Sequence, residues 1–327
     1  MRVLVIGGTR FPGRRVVERL VERGDEVLVV HRGRSSPDRW VPVKHLLADR
    51  RDLALHRAEI RVFDPEAIVD TIALTGADAD AVVPVLPPVP AVVLSSQDVY
   101  EAYAGLRSGR CVAAVPLTED SELRHQRYPY RGLGVGGIPD DYEKIDVEQR
   151  WLARGAVALR LPLVYGERDW QRREEPILRR LRAGRASIPV GPASLLWTRG
   201  HADDLATGVL AALDTRAADG VAINLGEPQS MPIRWWLEQI VSAAGSDAAL
   251  VRVPERLLPP DLTTTAAPAQ HLLVSVARAQ VLLDWAPAEP ATRIAQSVRW
   301  HLEHPPGEGT WSAEDARADD TALAGAD

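Results

Sequence analysis

The sequence predicts an α/β fold, a doubly wound parallel sheet with a smaller C-terminal lobe. Three observations carry this. Short apolar runs at residues 2–6 and 26–30 bracket a stretch with helical periodicity. In it Val16, Val17, Leu20 and Val21 share one face, and Arg14, Arg15, Glu18 and Arg19 lie off it. Runs this uniformly apolar fit strands buried on both faces, as parallel strands are. The alternation then repeats as far as residue 160, and its texture changes after Gly166.

The first strand ends at Gly7-Gly8, a helix follows from Pro12, and Gly24 stops it before the second strand. Residues 45–47 read as a third strand ending at Asp49, 67–71 as a fourth and 91–94 as a fifth, with helix-like segments near 53–60 and 78–86. Residues 104–140 read as irregular, with Gly132, Gly134, Gly136, Gly137 and Pro139 close together. A helix is expected over about 141–153 and a sixth strand over 157–160. Beyond Gly166 come a basic helix at 175–183, a helix at 205–213 capped by Asp203 or Asp204, a strand at 222–225, and a helix at 232–244 carrying Trp235 and Trp236. The division is a main domain over 1–165, to which some later segments return, a second lobe over 166–304, and a mobile tail over 305–327. That tail is rich in Pro, Gly, Ala and acids and shows no periodicity.

The chain has 327 residues, 46% hydrophobic and 26% charged, a globular balance with room for a main domain and a smaller one. A net charge of −6 and a pI of about 5.8 speak against a nucleic-acid partner, because phosphate backbones need a basic surface. Cys111 is the only cysteine, which rules out an intramolecular disulfide and suits a reducing, cytoplasmic setting. It is expected to be a packing or incidental residue. The first residues enter a strand rather than a signal peptide, and no apolar run is long enough to span a bilayer. The eight histidines show no HxxxH or HxxEH spacing, so no metal site is expected. The expected partner is a small molecule.

Gly7-Gly8-Thr9-Arg10-Phe11-Pro12-Gly13 joins the first strand to the first helix. Glycines permit a tight turn and close approach of backbone to phosphate. The helix N-terminus adds unpaired amides and a partial positive charge. In this context the loop reads as the pyrophosphate site of a Rossmann-type fold, with Gly7, Thr9, Arg10, Phe11 and Gly13 as candidate contacts. Arg10 either reaches a phosphate or points to solvent. After the second strand, where NAD-binding folds place an acid on the ribose, stands His31-Arg32-Gly33-Arg34. Arg32 and Arg34 could pair with a 2′-phosphate, which favours NADP(H) over NAD(H); the alternative is a pair of solvated loop arginines.

The loop resembles that of the extended short-chain dehydrogenase/reductase family, which includes sugar-nucleotide epimerases and dehydratases. The pattern there is GxxGxxG, met by Gly7 and Gly13, with Arg10 at the middle glycine. The GGTRF version resembles atypical branches, among them the chloroplast stem-loop-binding proteins. Ser95-Ser-Gln-Asp-Val-Tyr100, Leu161-Pro-Leu-Val-Tyr-Gly166, Trp197-Thr-Arg-Gly-His-Ala-Asp-Asp204, Asn224-Leu-Gly226 and Leu283-Asp-Trp285 extend the resemblance over about residues 1–303. It is closest to an NAD-dependent epimerase/dehydratase-like group. The resemblance implies that the cofactor also lies against His31, Asp49, Arg50, Ile72, Ala73, Leu94, Pro162 and Val164. It also implies a homodimer through a helix pair, half of which is 141–153.

Family enzymes use a Ser or Thr, a Tyr and a Lys, the last two spaced YxxxK on one helix. The Tyr is the acid/base, and the Lys lowers its pKa and holds the ribose. Ser96 matches the first position and Tyr142 the second, but the fourth residue on is Asp146, and the nearest lysine is Lys144. On a continuous helix Lys144 points some 200° away from Tyr142, and an aspartate beside the phenol would raise its pKa. Three readings follow. The helix enters differently and Lys144 reaches the ribose; Tyr142 works without the lysine, or the Tyr128-Pro-Tyr130 loop or Asp98 supplies the acid; or the protein binds a dinucleotide without redox catalysis, as a sensor or scaffold.

On the substrate side, Arg160, Arg168, Arg172, Arg173, Arg199 and His201 fall in or near the lobe segment. Trp197 stands where nucleotide-sugar enzymes carry a diphosphate-binding Arg, with Arg199 two residues on. Gln97, Asp98, Tyr130, Arg173, Trp197, Arg199 and His201 are the candidate substrate contacts. Trp170, Trp197, Trp235 and Trp236 either line an aromatic pocket or pack the core. The arginines of 172–185 read as a solvated helix face, and loop 132–137 as a lid or a surface insertion. The function expected is an NAD(P)-dependent oxidoreductase or epimerase acting on a hydroxyl or carbonyl of a polar small molecule, sugar-derived or a secondary metabolite.

Overall fold

The computed structural model describes residues 1–35, 40–307 and 311–326. Seven parallel strands form the central sheet: β1 (Arg2–Ile6), β2 (Glu26–His31), β3 (Lys44–Leu47), β4 (Ala67–Asp70), β5 (Ala91–Ser96), β6 (Val157–Leu161) and β10 (Ala222–Asn224). Their order is β10-β6-β5-β4-β1-β2-β3. The expected α/β, Rossmann-type doubly wound sheet is therefore the fold observed. Alternate side chains enter two layers, as strand geometry requires. Val3 and Val5 pack with Val16, Val17 and Leu20 of α1 (Gly13–Glu22) and Leu205 and Val209 of α7 (Ala202–Asp214). Leu4 and Ile6 pack with α2 (Arg57–Phe63), with Ala79 and Val82 of α3 (Gly76–Val82), and with Val147 and Trp151 of α5 (Lys144–Ala153). Chain order reverses between β1 and β4, so a crevice opens at their carboxyl ends, the ligand position of such sheets.

A helix α4 (Ala102–Ser108) lies within the stretch expected to be irregular. The second lobe contains two parallel strand pairs. One joins β7 (Leu163–Tyr165) to β9 (Arg199–His201), the other β8 (Ser187–Val190) to β11 (Ala249–Arg252). Helices α6 (Glu175–Arg182), α8 (Ile233–Ala243) and α10 (Pro290–Glu303) complete it, whereas α9 (Ala277–Leu283) packs on the main-sheet core through Ala279 and Leu283. Its own core gathers Ile177, Ile188, Val190, Trp236, Ile240, Ile294 and Val298. β10 and α7 come from the later sequence and lie on the main sheet. No described helix is long and apolar enough to cross a membrane.

Four expectations are corrected. The tail over 305–327 is not uniformly without structure, because α11 (Ala313–Ala324) is a helix with a Ser312/Asp315 capping box. It docks through Asp319, which accepts from the buried Arg180 at 2.8 Å. Arg180 is consequently no part of a solvated face: it also donates to Asp261 at 2.7 Å and to the Pro176 carbonyl at 2.6 Å. Arg160 belongs to the core instead of a substrate cluster. It meets Glu148 at 2.8 Å and the Tyr100 hydroxyl at 2.9 Å, Tyr100 donates to Asn224 at 2.8 Å, and Ser95 of β5 donates to Glu148 at 2.6 Å, tying α5, β5, β6 and β10 together. The cap of α7 is His201, whose Nδ1 accepts from the Asp203 amide; Asp203 and Asp204 lie in the first turn and pair with Arg15, Arg19 and Arg293.

Candidate active site

The first turn of the sheet is built for close approach. Gly7 has φ 94°, and a Cβ there would stand 2.4 Å from the Thr71 hydroxyl. Thr71 Oγ1 accepts from the Gly8 amide at 3.1 Å and donates to the Ile6 carbonyl at 3.0 Å, fixing the loop on β4. Helix α1 starts at Gly13 with no side chain capping it and no acid in its first turn. An uncapped, unneutralised N-terminus next to a glycine turn fits the pyrophosphate of a dinucleotide. Thr9 and Phe11 are half-buried and Arg10 is exposed.

His31 ends β2 inside an aromatic cluster. Its Nδ1 accepts from the Gly33 amide at 3.1 Å and its Nε2 faces His45 Nδ1 at 3.0 Å, with Trp40 4.4 Å away ring to ring. This assigns the Nε2–H donor to His31, and to His45 an Nε2–H that reaches the Val41 carbonyl at 2.9 Å. Burial, and then His45, holds the His31 pKa down. Arg32 and Arg34 are exposed, with Arg32 4.0 Å from Asp49. Asp49 caps the following turn by accepting from the Arg51 amide. Arg50 is drawn inward onto Asp70 at 2.5 Å, so its charge is spent within the protein. Ile72 is exposed at the crevice, whereas Ala73, Leu94 and Pro162 are buried and Val164 is half-buried.

The helix expected from residue 141 begins instead at Lys144. Glu143 is its cap, extended in backbone, with its carboxylate accepting from the Ile145 amide and buried against Arg124 at 2.6 Å and Arg127 at 2.9 Å. Tyr142 therefore lies outside the helix, and the 200° separation from Lys144 does not apply. Lys144 is buried and its Nζ donates to the carbonyls of Ala73 at 2.6 Å and Leu94 at 2.8 Å. Burial pushes its pKa down to about 8, opposed by Asp70 and Asp98. Asp146 is not beside the phenol: it pairs with Arg127 at 2.6 Å on the outer side of α5.

The carboxylate that does stand at the phenol is Asp98. Tyr142 donates to its Oδ2 at 2.8 Å and Tyr130 to the same oxygen at 3.0 Å, the two rings meeting edge to face. Burial first, then Asp98, raises the Tyr142 phenol well above the usual tyrosine range. Ser96 ends β5 and its Oγ accepts from the Asp98 amide at 3.2 Å. The sequence run 95–100 marked this turn; what it could not carry was the approach of Tyr130 from 32 residues away.

Of the other substrate candidates, Gln97 is turned into the core, donating to the Leu225 carbonyl at 2.9 Å. His201 is buried as the α7 cap, with its pKa held down to about 3 by burial. Arg173 reaches the Val164 carbonyl at 2.8 Å and lies 3.6 Å from Asp169. Arg199 is buried over the Trp236 ring, and its hydrogen bond goes to the Trp197 carbonyl at 3.3 Å. Burial holds its pKa down to about 10. Trp197 is half-buried beside Tyr103, Trp235 is half-buried, Trp236 is core and Trp170 is exposed. Sequence reasoning missed Tyr103, Tyr165 and Glu227, which surround the two arginines.

Residues 3–104 match the NAD dependent epimerase/dehydratase family. The chain has that family's fold. It is 28% identical over 270 residues to a 2-alkyl-3-oxoalkanoate reductase from Stenotrophomonas maltophilia, covering 75% of this chain and 76% of that protein. It is 24% identical over 306 residues to the chloroplast stem-loop binding protein of 41 kDa b from Arabidopsis thaliana, covering 88% and 75%. Among solved structures it is similar to a UDP-glucose 4-epimerase with UDP-glucose from Thermotoga maritima, with a TM-score of 0.69, 17% identity, and 94% of this chain and 100% of that one covered. It is likewise similar to a dTDP-glucose 4,6-dehydratase in complex with NAD from Bacillus anthracis, with a TM-score of 0.70, 14% identity, and 95% and 98% covered.

Proposed function

We propose that the protein is an NAD(P)-dependent oxidoreductase or epimerase acting on a hydroxyl or carbonyl of a polar small molecule that carries negative charge. What carries the reading is the grouping of Ser96, Tyr142 and Lys144 around the carboxyl ends of β4 and β5, beside the uncapped start of α1. A bound nicotinamide cofactor supplies the hydride acceptor or donor. Lys144 spends two donors on Ala73 and Leu94 and keeps a third N–H for the ribose. Ser96 and Tyr142 hold the substrate oxygen, and Tyr142 handles its proton. Arg199 is a buried cation and Arg173 a half-buried one, and the pKa of each is held down by burial, which supports an anionic substrate group as their counter-charge. The two exposed arginines after β2, with no acid at His31, favour NADP(H) over NAD(H). The reading includes a cytoplasmic protein and a homodimer through α5, which sedimentation equilibrium tests.

The experiment is to denature the purified protein, identify any released nucleotide by mass spectrometry, and titrate the nucleotide-free protein with NADPH and NADH. Exchangeable NADPH with much weaker NADH fits a reductase; tightly held NAD⁺ fits an epimerase or dehydratase cycle and removes the NADP(H) preference. Turnover is then assayed with UDP-glucose, dTDP-glucose and a 2-alkyl-3-oxoalkanoate. Tyr142→Phe is expected to cut turnover by about 100-fold. Nucleotide binding with no turnover of any of the three would replace this reading by the non-redox one.

A further inference from the structure

Asp98 is 5% exposed, yet two neutral phenols, rather than an arginine or lysine side chain, are what its carboxylate receives. Its other oxygen, Oδ1, is buried without a hydrogen-bond partner. Burying a carboxylate with this little compensation costs free energy that the fold does not need to spend, since an Ala or Asn would end β5 as well. Such groups concentrate at reacting centres.

The rest of the site leaves a vacancy of role that Asp98 fills. Lys144 is engaged by the Ala73 and Leu94 carbonyls and makes no hydrogen bond to Tyr142. Burial and Asp98 raise the phenol, and what lowers it among the described residues is the neutral Ser96 hydroxyl. A phenol in that state is a poor base but a good conductor. Its hydrogen points at Asp98 Oδ2, which leaves the lone pairs of its oxygen for a donor on the other side.

We propose that Asp98 is the proton store of the reaction, taking the proton of a substrate hydroxyl through the Tyr142 phenol, which stays neutral throughout. The inference rests on the hydride-transfer reading above. In the oxidising direction the substrate O–H bond breaks and its proton passes to the Tyr142 oxygen, while the Tyr142 proton passes to Asp98. The electron pair of the substrate C–H bond leaves as hydride to the nicotinamide ring, and the carbon–oxygen bond becomes double. Reduction of a carbonyl runs the same path backwards, the proton coming from Asp98. Tyr142 is the catalytic residue here and Asp98 acts through it. Tyr130 shares the carboxylate and covers it, with Arg107 5.8 Å from its ring. The titratable and charged groups facing Asp98 are Tyr142 ahead of α5, Tyr130 from the loop, Tyr103 from α4, Lys144 from α5, and Arg124, whose Nε donates to the Asp98 carbonyl at 2.8 Å.

The test compares wild type, Asp98→Asn, Tyr142→Phe and their double variant in the full chain. The probes are UDP-glucose with NAD⁺ and a 2-alkyl-3-oxoalkanoate with NADPH. Asp98→Asn is expected to lower kcat by about 100-fold with KM little changed. It is also expected to leave nucleotide affinity unchanged and to make the curved dependence of kcat on the deuterium fraction of the solvent linear, because one proton moves instead of two. The double variant is expected to be no slower than Tyr142→Phe alone, because the two act as one path. An Asp98→Asn protein with wild-type kcat, or effects that multiply in the double variant, overturns the relay alone. If Asp98→Asn fails to fold, the wild-type proton inventory decides, since a linear dependence of kcat on the deuterium fraction of the solvent means one proton in flight and overturns the relay. A wild type that turns over neither probe overturns the hydride-transfer reading together with the relay.

Discussion

Replacing Lys144 by Met gives a measurable test of how the lysine sits in this site. Lys144 is 6% exposed, and burial takes its pKa from 10.5 down to about 8. Between those values the folded state binds fewer protons than the unfolded state, so this residue makes the protein more stable as pH rises through the window. At pH 7 both states hold the proton and the pH-linked contribution is close to zero. At pH 10 the folded state has released it and most of the unfolded state has not, a difference worth about 2.5 kcal/mol. Urea unfolding of nucleotide-free wild type and Lys144→Met, from pH 7 to pH 10, isolates this quantity because every other titrating group is common to both. The fixed cost of leaving the Ala73 and Leu94 carbonyls without a donor drops out as well. The expected result is a stability gap that moves by about 2.5 kcal/mol in favour of wild type across the range. A gap that stays constant refutes the reasoning, since it means that burial does not disfavour the charged ammonium.

Gly7→Ala places a Cβ 2.4 Å from Thr71 Oγ1 at a φ of 94°, and should cost about 1–3 kcal/mol or more together with NADPH binding, read by melting and by titration. Glu174 is raised to about 7 by burial, so its folded state holds the extra proton. Wild type should therefore lose up to about 3 kcal/mol relative to Glu174→Gln as pH climbs from below 4.5 to 8, read from urea midpoints. Asp319→Ala leaves Arg180 with Asp261 and the Pro176 carbonyl, and should cost about 2 kcal/mol and open the segment around α11 to protease.

The main sheet was legible because strands buried on both faces write themselves as Val- and Ile-rich runs, and the glycine turn at residues 7–13 sits where a β-strand meets an amphipathic helix. Ser96 and Tyr142 were found by position in a motif and Lys144 as the lysine nearest to it, but their geometry was not. Spacing arguments assume a continuous helix, and Glu143 breaks it by capping α5 with a side chain whose partners, Arg124 and Arg127, lie 19 and 16 residues upstream. The direction in which Arg50, Arg160 and Arg180 point was illegible for the same reason. Each is turned inward by an acid distant in sequence, at 70, 148 or 319, and an arginine's periodicity alone reads as solvated surface. The helical tail shows the converse, since its capping box at Ser312 and Asp315 was readable, but the partner that orders it was not.

The edge strand β10 and the helix α7 have a consequence for biosynthesis. Ribosomes deliver the chain from the N-terminus, and domains tend to fold in that order. Here the sheet begun at Arg2 cannot add its final strand until residue 224 has been made, after β7, β8 and β9 of the other lobe have already emerged. The second lobe in turn holds a buried Arg180 whose neutralising Asp319 arrives 139 residues later. Neither half can mature alone while translation proceeds. Until residue 224 has been made, the nascent protein carries an unpaired β6 at the edge of its sheet, the kind of edge through which incomplete chains pair wrongly with one another.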